Sequence, residues 1–354
     1  MPSLSLLQID RYPTYQLFLT IVVAAVASGL LFPLWIRLVR YRNIGQQVRA
    51  DGPQGHLVKQ GTPTMGGVLI LLVVTAVFLA MGHTDRPSLL VLGATLACGI
   101  LGFVDDYAKV VKERSLGLTA ISKIIWQLIV SISIGLLAVN WAGVSPKVGL
   151  PLIGSRLDLG ILTTTIPIGG FAVAIPWLYL ALVCIMVVSF SNTVNLTDGL
   201  DGLAAGTVLI VMFAFAAIAF RQDSLPISLV GAAVSGACIG FLWYNSYPAD
   251  IFMGDTGSLG LGAAIATLAI VTKTEFLSVL IGGIYVIEGL SVMLQVLSFK
   301  LTGKRIFRMA PIHHHFEMKG WSETKIMVRF WIITGVMAGA GFALYFVSTM
   351  RGGS

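Results

Sequence analysis

Charge is what this sequence has least of. Asp, Glu, Lys and Arg make up only 11% of its 354 residues, whereas a water-soluble domain carries roughly a quarter. With a mean hydropathy of +0.89, the chain is expected to be an integral membrane protein. Cysteine is scarce too. Cys98, Cys184 and Cys238 all lie inside apolar runs and form no CxxC pair, which excludes a disulfide framework and leaves them as small core residues. No HExxH or Cys/His spacing of a zinc site is present. There is no Walker A loop, since Gly303-Lys304 is followed by Arg305, and no GxSxG elbow or dinucleotide fingerprint. Internal repeats, including the inverted repeats of transporters, are absent. No basic region precedes the first apolar run, which is long and followed by arginines, so a retained anchor is expected in place of a cleaved signal.

What is present is a succession of apolar segments from end to end. A span of about 20 apolar residues crosses the hydrocarbon core. Ten segments qualify: 16–36, 65–82, 88–104, 122–142, 172–190, 202–220, 226–243, 257–272, 276–298 and 327–348. No soluble block interrupts them, so the expectation is a single polytopic domain, an all-α bundle of ten transmembrane helices.

The lysines and arginines orient it. Segment 37–64 holds Arg37, Arg40, Arg42, Arg49 and Lys59. Segment 105–121 and the helix after it hold Lys109, Lys112, Arg114 and Lys123. Segment 299–326 and the last helix hold Lys300, Lys304, Arg305, Arg308, Lys319, Lys325 and Arg329. This face is expected to be cytoplasmic, with both termini outside, in the periplasm. The same bias accounts for the net charge of +7 without nucleic acid as a partner. Among the outer connections, 143–170 stands out as rich in Gly, Pro and Thr and is expected to hold a short hairpin.

The five inner connections carry the chemistry. The first reads Lys59-Gln-Gly-Thr-Pro-Thr-Met-Gly-Gly67, with Thr64 near its end. The second is Leu101-Gly-Phe-Val-Asp-Asp-Tyr-Ala-Lys109, where Asp105 and Asp106 stand at the end of an apolar run. Carboxylates there are costly to keep, which favours a function over a solvated helix end. The third, Ser191 to Gly202, contains Asn192, Asn195, Asp198 and Asp201 and no lysine or arginine. If a helix starts near Asp198, Asp198 and Asp201 share one face; an N-cap role would explain one of them but not both. The fourth, Asn245 to Ser258, places Asp255 before Thr256-Gly-Ser at a helix start. Asp255 is there either as an N-cap or as a Mg²⁺ ligand, since Mg²⁺ prefers one or two carboxylates plus substrate phosphates. Backbone N–H groups at that terminus suit phosphate oxygens. Phe252 offers a ring to a flat base or simply an interfacial anchor. The fifth holds His313, His314 and His315. These fan apart on a helix, so no single metal site is expected, and imidazoles facing an anionic substrate are the better reading. Glu288 is the one ionisable residue near mid-membrane, with Gln295 on the same helical face; it serves the inner site or locks helices together.

Carboxylates with nearby lysines suit a Mg²⁺-bound diphosphate. At lipid-headgroup depth, one substrate is expected to be a lipid phosphate. The pattern points to phosphoryl transfer on a lipid.

Four of these motifs resemble a known family. Phe103-Val-Asp-Asp-Tyr107, Asn195-Leu-Thr-Asp-Gly-Leu-Asp-Gly202, Phe252-Met-Gly-Asp-Thr-Gly-Ser258 and Pro311-Ile-His-His-His-Phe-Glu317 are similar to those of the polyprenyl-phosphate N-acetylhexosamine-1-phosphate transferases. The uninterrupted histidines followed by Phe316-Glu317 are similar to the branch that uses UDP-N-acetylmuramoyl-pentapeptide. The resemblance covers the whole chain. It implies transfer of the phospho-sugar to undecaprenyl phosphate, giving lipid I and UMP in the bacterial inner membrane, with the site facing the cytoplasm. It further implies Mg²⁺ on Asp255 and action of Asp105 and Asp106 on the lipid phosphate, as base or as attacking group, with His313 among the catalytic residues. A uridine pocket would fall on Lys59, Asn195, Asp198, Asp201 and Phe252, with Thr64 a further substrate-binding residue. Lys109, Lys123, Asn245, His314 and His315 would border the diphosphate and sugar. A homodimer is a further expected partner state. The rivals are a sister enzyme moving N-acetylglucosamine-1-phosphate and, from another class, a cation-coupled transporter.

Overall fold

A computed structural model describes residues 12–42, 44–45, 59–112, 117–151 and 155–351. Arg49 and Arg114, which contribute to the charge pattern above, lie outside the described residues. The helices are α1 (Pro13–Tyr41), α2 (Gly66–Ala80), α3 (Arg86–Val111), α4 (Ala120–Asn140), α5 (Trp177–Thr197), α6 (Leu203–Arg221), α7 (Leu225–Asn245), α8 (Gly254–Val271), α9 (Ser278–Ile281), α10 (Gly283–Thr302), α11 (Ile312–Glu317) and α12 (Glu323–Arg351).

Among the described residues, nine helices are long and apolar enough to cross a membrane. The second expected span is α2, with 15 residues; at 1.5 Å per residue it rises about 22 Å, short of the hydrocarbon core. The ninth expected span, 276–298, is broken: α9 ends at Ile281, Gly282 interrupts it, and α10 resumes at Gly283. The connection after α4, expected to lie outside, forms two antiparallel hairpins in place of one, β1 (Lys147–Gly149) with β2 (Arg156–Asp158) and β3 (Thr163–Ile168) with β4 (Phe171–Pro176). Gly169 and Gly170 both take left-handed φ at the second turn, as a two-residue hairpin requires. Because β4 runs to Pro176, α5 begins at Trp177, later than expected.

Three boundaries move the chemistry. α3 runs on to Val111, so Asp105, Asp106 and Lys109 sit on a helix and not in a loop. α5 runs to Thr197 and carries Asn192 and Asn195, with Asp198 at its C-cap. The reading of Asp198 and Asp201 on one helical face is therefore corrected: α6 starts only at Leu203. Gly199 and Gly202 break the helix between them, each costing about 1 kcal/mol against alanine, and Gly202 adopts φ +74.

α8 is the centre of the bundle. In its apolar window 89% of residues are buried, against 22% for α4 and for α12, so α8 is surrounded by protein while α4 and α12 turn broad apolar sides outward. α8 has small residues along its length, and close helix approach follows. A Cβ on Gly67 would lie 2.0 Å from the Gly257 nitrogen, and one on Gly102 would lie 2.1 Å from the Asp255 carbonyl oxygen. These contacts press the first turn of α8 against α2 and α3, and so set the spacing of the residues that follow.

Candidate active site

The end of α3 and the start of α8 meet as a cluster of charge. Asp105, Asp106 and Asp255 each place a carboxylate oxygen within 4.8 Å of the others, and all three are buried. Two lysines bridge them. Lys109 Nζ lies 2.7 Å from Asp105 Oδ2 and 3.0 Å from Asp255 Oδ1. Lys123, from the first turn of α4, lies 3.0 Å from Asp105 Oδ2 and 2.7 Å from Asp255 Oδ2. Asn195 adds an N–H from α5 to Asp255 Oδ1 at 2.9 Å and another to Ser258 Oγ at 2.8 Å. Three carboxylates against two ammonium groups leave a local excess of negative charge, and the donors are hard oxygens. That set fits Mg²⁺.

The two adjacent aspartates are held differently. Asp105 Oδ1 accepts the Leu118 N–H at 2.7 Å, which ties the segment before α4 to α3. Asp106 reaches across to α8. Its Oδ1 accepts the Asp255 N–H at 3.0 Å, and its Oδ2 accepts the Thr256 N–H at 2.9 Å and the Thr256 hydroxyl at 2.8 Å. The N–H groups of a first helical turn have no partner within their own helix, and Asp106 supplies one from a different helix.

Asp198 stands beside this cluster. Burial, then the charges of Asp255, Asp106 and Asp201, push its carboxyl well above the ordinary carboxylate range, against the pull of a hydrogen bond from Gly254. Asp201 is paired: its Oδ1 lies 2.8 Å from Lys59 Nζ, and its Oδ2 accepts the Ala249 N–H at 3.0 Å. Lys59 also meets Glu323 Oε2 at 2.6 Å. Burial acts to lower the Lys59 ammonium, but hydrogen bonds and charge from Asp201 and Glu323 outweigh it and hold it above its ordinary value. Glu323, on the first turn of α12, was not anticipated. Its only sequence signal is an acid at a helix start inside a strongly basic segment.

Backbone pairing brings Lys59–Gly67 to the start of α8. Phe252 N–H donates to Pro63 O, while Gly66 N–H donates to Phe252 O and Gly67 N–H to Met253 O, at 2.8–2.9 Å. Phe252 is half-buried and Thr64 buried along this seam. Asn245 has both ends of its amide engaged by backbone: Oδ1 accepts the Gly202 N–H at 3.0 Å and Nδ2 donates to Ile251 O at 2.9 Å. It braces the two loops that flank the site. The histidines lie on α11 and fan as a helix requires. His313 is wholly buried and meets Glu288, His314 meets Glu317, and His315 accepts the Arg308 N–H. The expected site residues thus lie on segments that meet at one end of the bundle, tied together by contacts as long-range as Lys59 to Glu323, 264 residues apart.

Comparison with known proteins shows the family. A family model for glycosyl transferase family 4 covers residues 88–273, and a phospho-N-acetylmuramoyl-pentapeptide-transferase signature covers residues 59–71. The relative from Corynebacterium jeikeium is 44% identical over 96% of this chain and 99% of its own length. The chain belongs to the phospho-N-acetylmuramoyl-pentapeptide-transferases. Relatives of the same name from Halalkalibacterium halodurans and Frankia alni are each 46% identical, over 90% and 94% of this chain and 94% and 98% of their own. The glycosyl transferase family 4 region runs from α3 into the turn after α8 and holds the carboxylate cluster. The phospho-N-acetylmuramoyl-pentapeptide-transferase signature holds Lys59 and Thr64.

Proposed function

We propose that this chain transfers phospho-N-acetylmuramoyl-pentapeptide from its UDP-linked donor to undecaprenyl phosphate, giving lipid I and UMP. An oxygen of the lipid phosphate attacks the β-phosphorus of the donor. The bond from that phosphorus to the bridging oxygen breaks, and UMP leaves with the oxygen. The observation that carries this reading is the cluster of Asp105, Asp106 and Asp255 bridged by Lys109 and Lys123, in a chain whose relatives bear the transferase name. The same cluster argues against the transporter, because the carboxylates crowd one end of the bundle and not its middle. The relatives' name argues against the sister enzyme.

Asp255, with Asp105 beside it, is the proposed Mg²⁺ ligand. The ion would neutralise diphosphate charge as the bond to UMP breaks. Lys109 and Lys123 would turn from the carboxylates to phosphate oxygens. Asp105 would orient the incoming lipid phosphate, and Asp106 would hold the first turn of α8 in register with it. A phosphate monoester has its second pKa near 6, so it is largely ionised at neutral pH and needs little help from a base. Asp106 has both oxygens occupied by the start of α8, and Asp105 is bound by Leu118 and two lysines. That occupancy favours direct attack over a covalent aspartyl intermediate. Lys59, Asn195, Asp198, Asp201 and Phe252 form the proposed uridine pocket, with Thr64 a further substrate-binding residue. Asn245 braces it, and the histidines border the diphosphate and sugar. The basic end would face the cytoplasm of a bacterial inner membrane, with ten crossings, both termini outside and a homodimer as the assembled form.

The test uses purified protein with UDP-N-acetylmuramoyl-pentapeptide, a polyprenyl phosphate and Mg²⁺, following UMP and lipid product. Equimolar UMP and lipid-linked product support the proposal. Turnover with UDP-N-acetylglucosamine alone would move the chain to the sister reaction.

A further inference from the structure

Glu288 on α10 has a fully buried side chain, and its Oε1 lies 3.0 Å from Nδ1 of His313, also fully buried. An ionised carboxylate only accepts, and with Glu288 in that form Nδ1 would carry the hydrogen of this bond. The neighbouring histidines divide in the same way. His314 Nδ1 faces Glu317 Oε2 at 2.8 Å, whereas His315 Nδ1 accepts the Arg308 N–H at 3.0 Å and is therefore bare. Three consecutive identical residues thus present different nitrogens, according to what each Nδ1 meets.

His313 Nε2 and Glu288 Oε2 are buried and have no hydrogen-bond partner among the described residues. A Cβ on Gly199 would sit 2.6 Å from His313 Nε2 and 3.3 Å from His314 Nε2. Both ring nitrogens converge on the one position in the Asp198–Asp201 turn that has no side chain. α10 also pins the segment leading to α11. Gln295 Oε1 accepts the Ile306 and Phe307 N–H groups, and its Nε2 donates to Phe307 O, at 2.9–3.0 Å. Glu288 and Gln295, two turns apart, therefore dock the histidine helix against the turn that carries the proposed uridine pocket.

We propose that Glu288 is a positioning residue. It fixes His313 with Nδ1 as the proton-bearing nitrogen and turns Nε2 towards Gly199, where Nε2 meets a polar atom of the nucleotide-sugar donor. An isolated buried nitrogen is costly, and a polar donor atom that reaches Nε2 as the Gly199 turn gives way would relieve the cost. The inference rests on the transferase reading for the identity of that donor.

The test is a double-mutant cycle on the full chain in detergent, with kcat and donor KM measured for Glu288→Ala, His313→Ala and the pair. If Glu288 acts through His313, each single change lowers kcat by about 10- to 100-fold, and the double variant falls no further than His313→Ala. Glu288→Gln, whose amide oxygen still accepts from Nδ1, is expected to keep about tenfold more activity than Glu288→Ala. Multiplicative losses in the double variant, or Glu288→Ala within about twofold of the parent, would overturn the proposal. A second measurement needs neither donor nor turnover. In ¹⁵N-histidine-labelled protein, with His313 assigned by its loss in His313→Ala, Nδ1 should be protonated, and Glu288→Gln keeps that state if Glu288→Ala fails to fold. A bare Nδ1 would overturn the proposal whichever donor the enzyme uses. An enzyme silent with the pentapeptide donor but showing this protonated Nδ1 would instead count against the transferase reading alone.

Discussion

Asp106 and Thr256 are joined twice: one carboxylate oxygen accepts both the backbone N–H and the hydroxyl of Thr256, at 2.9 and 2.8 Å. Together with the bond from the Asp255 N–H, this makes Asp106 the cap of a helix to which it does not belong. The residue beside it, Asp105, makes no such bond and faces the two lysines. Adjacent residues on α3 thus split into one that holds the frame and one that faces the charge.

Removing the cap should be felt in stability as well as in turnover. Hydrogen bonds to a buried charged group are worth about 1.5–3 kcal/mol, so Asp106→Ala is expected to lower the unfolding free energy by at least that amount, with Asn recovering more than half. Thermal unfolding in detergent measures this. An unchanged Tm with turnover lost would instead assign Asp106 a direct part in the chemistry.

Asp198 should show the opposite balance. Its carboxyl is raised in the folded protein, so the folded state holds the proton more tightly than the unfolded state. Stability from this group is therefore greatest at low pH and declines as pH rises through and beyond the ordinary carboxylate value. Asp198→Asn removes the ionisation. It should raise Tm at neutral pH in the absence of donor, while donor affinity falls about tenfold or more. A lower Tm for the variant at neutral pH would contradict the assignment.

Two glycines on α3 separate a contact from a bystander. Gly102→Ala forces a Cβ against the Asp255 carbonyl, with backbone on both sides and no room to yield. We expect a loss of about 1–3 kcal/mol and a larger fall in turnover, since the change pushes Asp105 and Asp255 apart. Gly93→Ala meets nothing within 4 Å and should be neutral or stabilising by about 0.5–1 kcal/mol. Tm and UMP release, measured on both, give the comparison.

Chelation should abolish UMP release, and added Mg²⁺ should restore it. Asp255→Asn should not be rescued by Mg²⁺ at any concentration the protein tolerates. Lys123 pairs with the same carboxylate, so the variant must also be shown to keep its Tm. Full activity in EDTA would remove the ion from the proposed mechanism.

Much of this molecule was legible before any coordinates. Membrane residence, the positions of the spans and the motifs that carry the chemistry follow from residue type and local hydropathy, because transfer of side chains into hydrocarbon depends little on their distant neighbours. The hairpins after α4 were foreshadowed by Gly, Pro and Thr. The expected span 202–220 lies within one residue of α6, but a helix start near Asp198, the condition for Asp198 and Asp201 to share a face, is ruled out by the turn that Gly199 and Gly202 signal.

What tertiary structure alone decided is which charge meets which. Lys59 finds Asp201 and Glu323 across 142 and 264 residues, Lys123 finds Asp255 across 132, and His313 finds Glu288 on another helix. Sequence spacing cannot specify these partners. Coulombic and hydrogen-bond energies fall off over a few ångströms, and those ångströms are set by how closely glycines let α2, α3 and α5 approach α8. The residue types determine that the site is built of carboxylates, lysines and histidines; the packing of the helices determines that Asp106 caps, Asp105 faces the lysines and Glu288 aims a histidine.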